Sequence, residues 1–213
     1  MLTIRPYRAA DRARVREIAF ETGYMGEPAA WYWRDAVSFA DVWSGYYTDH
    51  EPESAFVAAL GDQVVGYLLG CLNTARAPSP AAAIVRQLLR RQLLVRPGTA
   101  GFLWRSLADT LRDGSVPSGE LSDPRWPSHL HVNLLPAARG QGAGRALVAA
   151  WLERLRGHGS PGCHLGTMAE NHAAIRFFRS VGFEPFGAPV LVPGMRLREG
   201  GRMHVQLMVR SVR

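Results

Sequence analysis

The sequence predicts a single α/β domain with some parallel strand pairing and a helical insertion over residues 74–127. Three observations support this class. Two β-branched runs flank Gly61-Asp62, a pair typical of a tight hairpin turn. After residue 128, segments with the strand pattern, in which every second residue is apolar, take turns with segments in which apolar residues recur every three or four positions, as in a helix. This order is typical of β-α units. The length of 213 residues fits one domain with a large insertion, although two small domains are the alternative.

The first part of the chain contains alternating, helical and aromatic-rich segments. Val15, Ile18 and Ala19 have the spacing of an amphipathic helix, and Asp11 lies in its first turn. Part of the aromatic-rich segment is expected to form a second helix. The predicted elements are a strand at residues 2–5, a helix at 10–22, the aromatic-rich segment at 24–47, and hairpin strands at 54–60 and 63–73.

The insertion and the last part follow from the same spacing rules. In the insertion, two runs with helical spacing are separated by Pro97-Gly98, and a polar stretch rich in glycine and proline closes it. The insertion is therefore interpreted as helices followed by a loop. The remaining predicted elements are a strand at 129–135, a helix at 142–157, a strand at 162–168, a helix at 171–181, and strands at 187–192 and 203–210.

The positive charge of the chain comes from arginine alone. All 25 basic residues are arginine, and against 18 acidic residues they give a formal net charge of +7. The absence of lysine excludes Schiff-base chemistry and a Walker-type phosphate lysine. The positive charge suits a nucleic acid or a polyphosphate cofactor. Because Arg90-Arg91 is the only adjacent basic pair and no nucleic-acid motif is present, we expect no nucleic-acid partner.

Targeting and redox signals favour a cytoplasmic protein. Arg and Asp interrupt the apolar residues near the N-terminus, so no secretory leader is predicted. No apolar run reaches the roughly 18 residues that a membrane span needs, and no membrane partner is expected. Cys71 and Cys163 are far apart and lack metal or redox spacing, which favours two buried thiols in a reducing compartment.

The most informative motif is a strand, a short turn with three alternating glycines, and an amphipathic helix. The spacing of Gly140, Gly142 and Gly144 differs from the dinucleotide G-x-G-x-x-G motif and from the P-loop. The physics is related, because glycines let backbone N–H groups approach a ligand and a helix start adds unpaired donors. Arg139 and Arg145 flank the turn. A pyrophosphate site is predicted here, and a turn without a ligand is the alternative.

At these residues the sequence resembles the GNAT superfamily of acyl-CoA-dependent N-acyltransferases. The family turn, (Q/R)-x-x-G-x-(G/A), here reads Arg139-Gly140-Gln141-Gly142-Ala143-Gly144. A second family element is an Asn that opens a helix ending in Gly-Phe, here Asn171 and Gly182-Phe183. The resemblance covers nearly the whole chain outside residues 74–127. A weaker resemblance, in the same turn and the insertion, is to the acetyltransferase-like C-terminal domain of O-GlcNAcases.

The resemblance implies a GNAT-like mixed, mostly antiparallel sheet, flanked by helices and splayed at a β-bulge beside the CoA-binding strand. It implies acetyl-CoA as co-substrate and no metal. The freed strand would pair with pantetheine, the turn amides would hold the pyrophosphate, and an N–H near Leu134 would polarise the thioester. Asn171 would reach the pantetheine arm. The implied cofactor-binding residues are Val132, Asn133, Leu134, Arg139, Gly140, Gln141, Gly142, Ala143, Gly144, Arg145, Asn171 and Phe178.

The resemblance also implies direct attack of an acceptor amine, without an acyl-enzyme, which requires a base and often an acid. The family's usual acid, a tyrosine, is Phe178 here, and its occasional glutamate on the later strand is Gly166. We therefore predict His131, which alternates with His129 on one strand face, and Asp123 in the preceding loop as the catalytic residues. Structural histidines and a plain turn residue are the alternatives.

An acceptor site is expected where the first helix ends, near Glu21 and Tyr24. The aromatic-rich segment would form one wall of it, and a closed, partly apolar pocket favours a small amine. Core packing of these rings is the alternative. The predicted function is N-acetyl transfer from acetyl-CoA to a small-molecule amine in a ternary complex, compatible with a homodimer. A non-catalytic acetyl-CoA-binding module and a protein N-acetyltransferase are the competing hypotheses.

Overall fold

The computed structural model describes residues 1–93, 99–114 and 121–212. Pro97-Gly98 and residues 115–120 of the polar stretch that closes the insertion lie outside these ranges. The described strands are β1 (Leu2–Pro6), β2 (Ala55–Leu60), β3 (Gln63–Cys71), β4 (Ser128–Leu134), β5 (Gly162–Met168), β6 (Glu184–Arg196) and β7 (Arg202–Ser211). The described helices are α1 (Arg12–Glu21), α2 (Ala36–Trp43), α3 (Gly45–His50), α4 (Pro80–Arg91), α5 (Ala100–Asp113), α6 (Ala143–Gly157) and α7 (His172–Ser180).

The strands form one seven-stranded sheet in the order β1-β2-β3-β4-β5-β7-β6. Neighbouring strands are antiparallel except β4 and β5, which are parallel and connected through α6. The predicted mixed, mostly antiparallel sheet flanked by helices is therefore confirmed. It is the parallel pair that places the end of β4 beside an open gap.

The splay of the sheet lies between β4 and β5. Their pairing is limited to Ser128 with Cys163 and His129 with His164, whereas β4 pairs with β3 in an unbroken register from His129 to Leu134. Register shifts lie in β2–β3 and in β6–β7, so they do not disturb the pairing of β4 with β3. The two strands separate after the pair of His129 with His164, and beyond it one edge of β4 is open.

Three helices begin at side chains that accept a backbone N–H. The acceptors are Asp35 from Ser38 N at 2.8 Å, Ser79 from Ala82 N at 3.2 Å, and Asn171 from Ala174 N at 3.1 Å. Each bond satisfies one of the donors that a helix start leaves unpaired. The helix predicted from residue 10 starts later. Its first residues form a 3-10 turn in which the Asp11 carboxylate accepts from Arg8 N at 2.8 Å.

Two apolar clusters cover the two faces of the sheet. On one face α6 buries a row of residues that recur with helical spacing, including Leu147, Trp151 and Leu155. On the other face α1 and α3 pack Val15, Ile18 and Tyr47 against β2 and β3. β4 contributes Leu130 to the α6 cluster, and the side chains that alternate with Leu130 point to the opposite face. Its histidines therefore lie on the face covered by α1 and α3.

Residues 74–127, the predicted insertion, contain the two helices α4 and α5. Both pack on the aromatic-rich segment in a third cluster, which includes Trp33, Phe39 and Phe102. That segment contains two short helices, α2 and α3, rather than one. Four of its eight rings are buried in this cluster, so core packing, the alternative to a pocket wall, describes these four. None of the helices within the described ranges is both long enough and apolar enough to span a membrane.

Candidate active site

The open edge of β4 presents backbone groups toward the gap. Leu135 N donates to Val65 O at 2.9 Å, so the backbone groups of Leu135 face β3. Backbone groups alternate along a strand, so those of Val132 and Leu134 point away from β3, toward β5 beyond the last β4–β5 pair. Arg139 Nε donates to Leu134 O at 3.1 Å. The N–H and C=O of Val132 and the N–H of Leu134 are thereby placed to pair with an extended ligand.

Asn133 has a different place from the one predicted. Its backbone faces β3, opposite Tyr67, by the same alternation. Its side-chain Nδ2 donates to Thr22 Oγ1 at 2.6 Å, on the face of the sheet covered by α1. Asn133 therefore ties β4 to the end of α1, while the strand edge open to a ligand is formed by its two neighbours.

The glycine turn ends in an uncapped helix start. Gly140 and Gly142 have φ of 74° and 81°, left-handed values that favour glycine. No atom lies within 4 Å of an added Cβ at either position, so their outer side is open. Gly142 precedes α6 without a side-chain cap, and the first helical bond runs from Ala146 N to Gly142 O. The amides of residues 143–145 are therefore not used by the helix and can bind an anion.

The side chains beside the turn hold its shape. Arg139 Nη2 donates to Gly26 O at 2.7 Å, and Gln141 Nε2 donates to Ala137 O at 2.6 Å. Arg145 Nη1 donates to Ser180 O at 3.3 Å, at the end of α7. Arg139 and Arg145 are both exposed and keep a positive field at the turn. They position the turn and supply charge, whereas its backbone supplies the directed donors.

The two predicted residues of α7 lie in different surroundings. Asn171 begins α7 and, with Tyr24 and Glu170, lines a surface cavity of about 450 Å³. Phe178 is buried in the cluster under α6, with its ring 5.8 Å from that of Phe183. The half-buried Asn171 thus borders open space, whereas Phe178 packs in the core. Gly144 lies so close to α7 that an added Cβ would be 2.8 Å from the Phe177 ring.

His131 lies on the face of β4 covered by α1 and α3, and its lowered pKa keeps it neutral near pH 7. Its Nε2 lies 2.8 Å from Tyr47 Oη, and its ring packs at right angles to Trp43. Burial, with a smaller contribution from His164, lowers the pKa of His131 to about 4. The neutral imidazole therefore has one ring nitrogen with a lone pair that can accept a proton at pH 7. It is too weak a base to deprotonate an alkylammonium ion in solution.

Asp123 is held by its own loop. Arg125 donates to the Asp123 carboxylate from its backbone N at 2.9 Å and from Nη2 at 2.7 Å. These bonds and the charge of Arg125 lower the pKa of Asp123, which makes it a weaker proton acceptor. Within the described ranges, the hydrogen-bonding partner of Asp123 is Arg125, and the structure does not join it to His131.

Glu21 and Tyr24, predicted to lie near an acceptor site, differ in exposure. Glu21 accepts from Arg14 Nη1 at 3.4 Å on the exposed side of α1. Tyr24 is buried, and its hydroxyl donates to Arg196 O at 3.1 Å. Of the two, Tyr24 borders the cavity beside Asn171. No group of three or more His, Cys, Asp or Glu side chains in the described part of the chain could hold a metal ion.

Sequence reasoning missed Tyr47 as part of the site. It lies in α3, and its hydroxyl contacts His129 and His131 from 82 and 84 positions away. The spacing of the two histidines predicted a shared face, but no local signal says which side chain covers that face. Tyr47 was one of several aromatic residues in its segment, so the hydroxyl could be assigned only after packing was known.

Comparison with known proteins agrees with this geometry. Residues 13–183 match the model of the acetyltransferase (GNAT) family. A mycothiol acetyltransferase from Nocardiopsis dassonvillei is 37% identical over 101 residues, covering 44% of this chain and 27% of that protein. A mycothiol acetyltransferase from Nocardia farcinica is 44% identical over 54 residues, covering 25% of this chain and 18% of that protein. The match thus spans about a quarter or less of these curated relatives.

Solved structures show the same fold. The crystal structure of SsHAT has a TM-score of 0.68 and 26% identity, covering 100% of this chain and 98% of that one. The acetyltransferase YncA from Salmonella typhimurium, solved with acetyl-CoA, has a TM-score of 0.60 and 18% identity, covering 100% and 94%. The resemblance to O-GlcNAcases is not shown by these comparisons. With its open β4 edge and uncapped glycine turn, this chain belongs to the acetyltransferase (GNAT) family.

Proposed function

We propose that the protein transfers the acetyl group of acetyl-CoA to a small-molecule amine by direct attack in a ternary complex. The observation that supports this best is the continuous ligand path from the open edge of β4 to the uncapped start of α6. Pantetheine adds to the β4 edge as a short strand, through Val132 and Leu134. The pyrophosphate is held by the amides of the turn that follows, within the positive field of Arg139 and Arg145.

The backbone of Leu134 stabilises the charge that develops on the thioester. Its N–H points into the gap, and its carbonyl is already bound by Arg139. Attack by the amine nitrogen forms the new C–N bond and turns the thioester carbonyl oxygen into an oxyanion, which this N–H binds. Collapse of the intermediate then breaks the C–S bond and releases the CoA thiolate. Since Phe178 has no proton to donate, the thiolate is protonated by water.

His131 takes the proton from the attacking nitrogen. Attack makes this nitrogen positively charged and much more acidic than the free ammonium ion. A neutral imidazole is therefore sufficient as the acceptor at this stage, even with a low pKa. The alternation of β4 puts the His131 side chain on the α1 side, while Val132 and Leu134 direct their backbone into the gap. The amine approaches from the side opposite to α6.

The surface cavity beside Asn171 is the candidate place for a small acceptor. The cavity beside Asn171 has a volume of about 450 Å³ and mixes the Tyr24 ring with charged side chains such as Glu170 and Arg198. That volume suits a small polar molecule better than an extended peptide. The relatives named mycothiol acetyltransferase support the same choice, because that name refers to a small molecule.

Acetyl-CoA binding and thiol release test this proposal. Calorimetry is expected to show binding of acetyl-CoA, and release of free CoA is expected with at least one member of a panel of small amines. Peptides that offer an α-amine or a lysine serve as the competing substrates. Tight binding without turnover on any acceptor would favour the binding-module hypothesis, and turnover on peptides alone would favour a protein N-acetyltransferase. If acetyl-CoA does not bind at tens of micromolar protein, all three hypotheses are contradicted, because each of them requires acetyl-CoA.

A further inference from the structure

Four side chains from three parts of the chain form a continuous hydrogen-bonded series. Thr74 lies in the turn after β3, and its Oγ1 is 2.7 Å from His129 Nδ1. His129 Nε2 lies 2.7 Å from Tyr47 Oη, and the same oxygen lies 2.8 Å from His131 Nε2. Thr74, His129 and Tyr47 are all buried, with exposed fractions of 8%, 3% and 6%. The series therefore leads from the candidate base through the protein interior to the turn after β3.

The tyrosine hydroxyl couples the two imidazoles. It has a single proton, so it can donate to only one of the two Nε2 atoms, and the other Nε2 must donate to its oxygen. Both bonds can exist only if one histidine is protonated on Nε2 and the other is not. The two neutral rings therefore carry their protons on different nitrogens, one ring on Nε2 and the other on Nδ1. The protonation of His129 in turn decides whether His129 Nδ1 donates to Thr74 Oγ1 or accepts from it. The series has two arrangements, one with every donor pointing toward Thr74 and one with every donor pointing toward His131.

We infer that His131, Tyr47, His129 and Thr74 form a proton relay that removes the proton of the acceptor amine. This inference rests on the proposed function, in which His131 is the first acceptor. The proton is taken by His131 Nδ1, and His131 Nε2 passes its own proton to Tyr47 Oη. Tyr47 passes its proton to His129 Nε2, and His129 Nδ1 passes one to Thr74 Oγ1. Thr74 releases its original proton to water, so one proton enters and one leaves.

The surroundings favour a neutral series. Burial lowers the pKa values of His129 and His131, so neither ring is charged near pH 7. His164 lies next to the series, with its ring 5.7 Å from that of His129, but its nitrogens are used elsewhere. Its Nδ1 lies 2.8 Å from Trp126 O, and its Nε2 accepts from Leu121 N at 3.1 Å. His164 thus lowers the affinity of its neighbours for a proton without taking part in the transfer.

Among the described residues, no carboxylate is hydrogen-bonded to His129, His131 or Thr74. Trp43 of α2 covers His131, and Tyr46 lies beside Tyr47 with ring centroids 5.5 Å apart. The Tyr46 hydroxyl donates to Glu51 at 3.4 Å, outside the series. Further along β4, the Asn133 side chain is bonded to Thr22. A neutral series can pass a proton in concert, because no member has to hold a buried charge between steps.

The decisive variant is Tyr47→Phe, with Tyr46→Phe as its matched control. Both remove one hydroxyl from adjacent residues of α3, but only Tyr47 joins the histidines. With the small amine found for the wild type, Tyr47→Phe is expected to lower kcat by about tenfold to a hundredfold, the scale of proton-transfer catalysis. The solvent deuterium isotope effect on kcat is expected to fall, and the rate against deuterium fraction is expected to become linear. Tyr46→Phe should retain the wild-type values.

The far end of the relay is tested by Thr74→Val and Thr74→Ser. Valine has nearly the same shape and no hydroxyl, so it is expected to reduce the isotope effect, while serine should restore it. Nitrogen-15 NMR of the imidazoles provides a readout independent of turnover. In the wild type the two histidines should have opposite tautomers, and Thr74→Val should change the tautomer populations of both His129 and His131.

The outcomes separate the relay from the proposed function. If His131→Ala keeps wild-type kcat, His131 is not the base, and the relay is overturned with it. If His131→Ala loses activity while Tyr47→Phe behaves like Tyr46→Phe, the relay alone is overturned. The same holds if Thr74→Val leaves the isotope effect and the imidazole tautomers unchanged. Thermal unfolding of each variant checks that a lower rate is not a loss of folded protein.

Discussion

At the scale of single residues, the glycine turn is where local sequence and ligand chemistry coincide. Gly142 has a left-handed φ of 81° and open space on its outer side. Any side chain there imposes backbone strain, and a negative one also faces the amides that would hold the pyrophosphate. Charge and strain can be separated by comparing two side chains of equal size.

We expect Gly142→Glu to bind acetyl-CoA at least tenfold more weakly than Gly142→Gln. Both variants have the same backbone strain, but only the glutamate carboxylate repels the phosphates. A repulsion of about 1.4 kcal/mol weakens binding tenfold. Isothermal titration calorimetry at low salt measures the difference, which should shrink as salt is added. Equal affinities for the two variants would contradict the assignment of the turn.

At the scale of elements, the contact between β3 and α6 depends on the absence of a side chain. Gly70 faces Trp151, whose ring would lie 2.3 Å from an added Cβ. We expect Gly70→Ala to lower the free energy of unfolding by about 1–3 kcal/mol, because the buried Trp151 ring has to shift. Gly101→Ala in α5 is the control, since its nearest atom is the flexible end of Arg105 at 3.5 Å. Urea unfolding of Gly101→Ala should show unchanged or slightly higher stability.

The second element-level contact joins α5 to β6. The buried Asp109 carboxylate accepts from Arg196 Nη1 at 2.7 Å and from Gly194 N at 2.8 Å. The hydrogen bonds from Arg196 are the main cause that lowers the pKa of Asp109 to about 2, from an ordinary value of 3.8. A depressed carboxyl pKa adds stability that is fully present above about pH 3.8 and is lost as pH falls through about 2.

We therefore expect Asp109→Asn to be less stable than the wild type at pH 7, by about 3 kcal/mol, because it leaves Arg196 without its buried partner. The difference should become smaller as the pH approaches 2. Asp113→Asn, at the exposed end of the same helix, is the control, and it is expected to change stability by less than about 1 kcal/mol. Chemical denaturation at several pH values measures both. Equal losses in the two variants would show that burial of the carboxylate is not what matters.

At the scale of the whole molecule, the buried histidines make folding sensitive to pH. The pKa values of His129, His131 and His164 are all lowered mainly by burial, and that of His131 reaches about 4. Between about pH 6.5 and pH 4 the unfolded chain binds a proton at His131 and the folded chain does not, and the lowered pKa values of His129 and His164 act in the same direction. Stability therefore falls as pH decreases through this window.

The midpoint of thermal unfolding should accordingly decrease from pH 6.5 to pH 4. His131 alone accounts for about 3 kcal/mol of this change, from its shift of the pKa. The His131→Gln variant is expected to show a shallower pH dependence, and the exposed His158→Gln variant is expected to match the wild type. Identical pH dependence in all three proteins would contradict the neutral state of His131.

Much of the fold could be predicted because it depends on local patterns. The apolar spacing of α1, α6 and α7 and the hairpin at Gly61 were sufficient to identify those elements. The boundaries differ at places where a side chain decides them, such as the 3-10 turn bound by Asp11. The order of β6 and β7 at the sheet edge has no such local signal, because it depends on how the strands pair.

The sequence by itself determined the class of the fold, the glycine turn at the start of α6, and the alternation that puts His129 and His131 on one face. Each of these follows from spacing within a few residues. Tertiary structure alone decided that β4 and β5 separate after His129, that Phe178 is buried, and that Tyr47 joins the two histidines from 82 and 84 positions away. Such contacts depend on which faces pack together, and local periodicity says that a face is buried without saying which residue covers it.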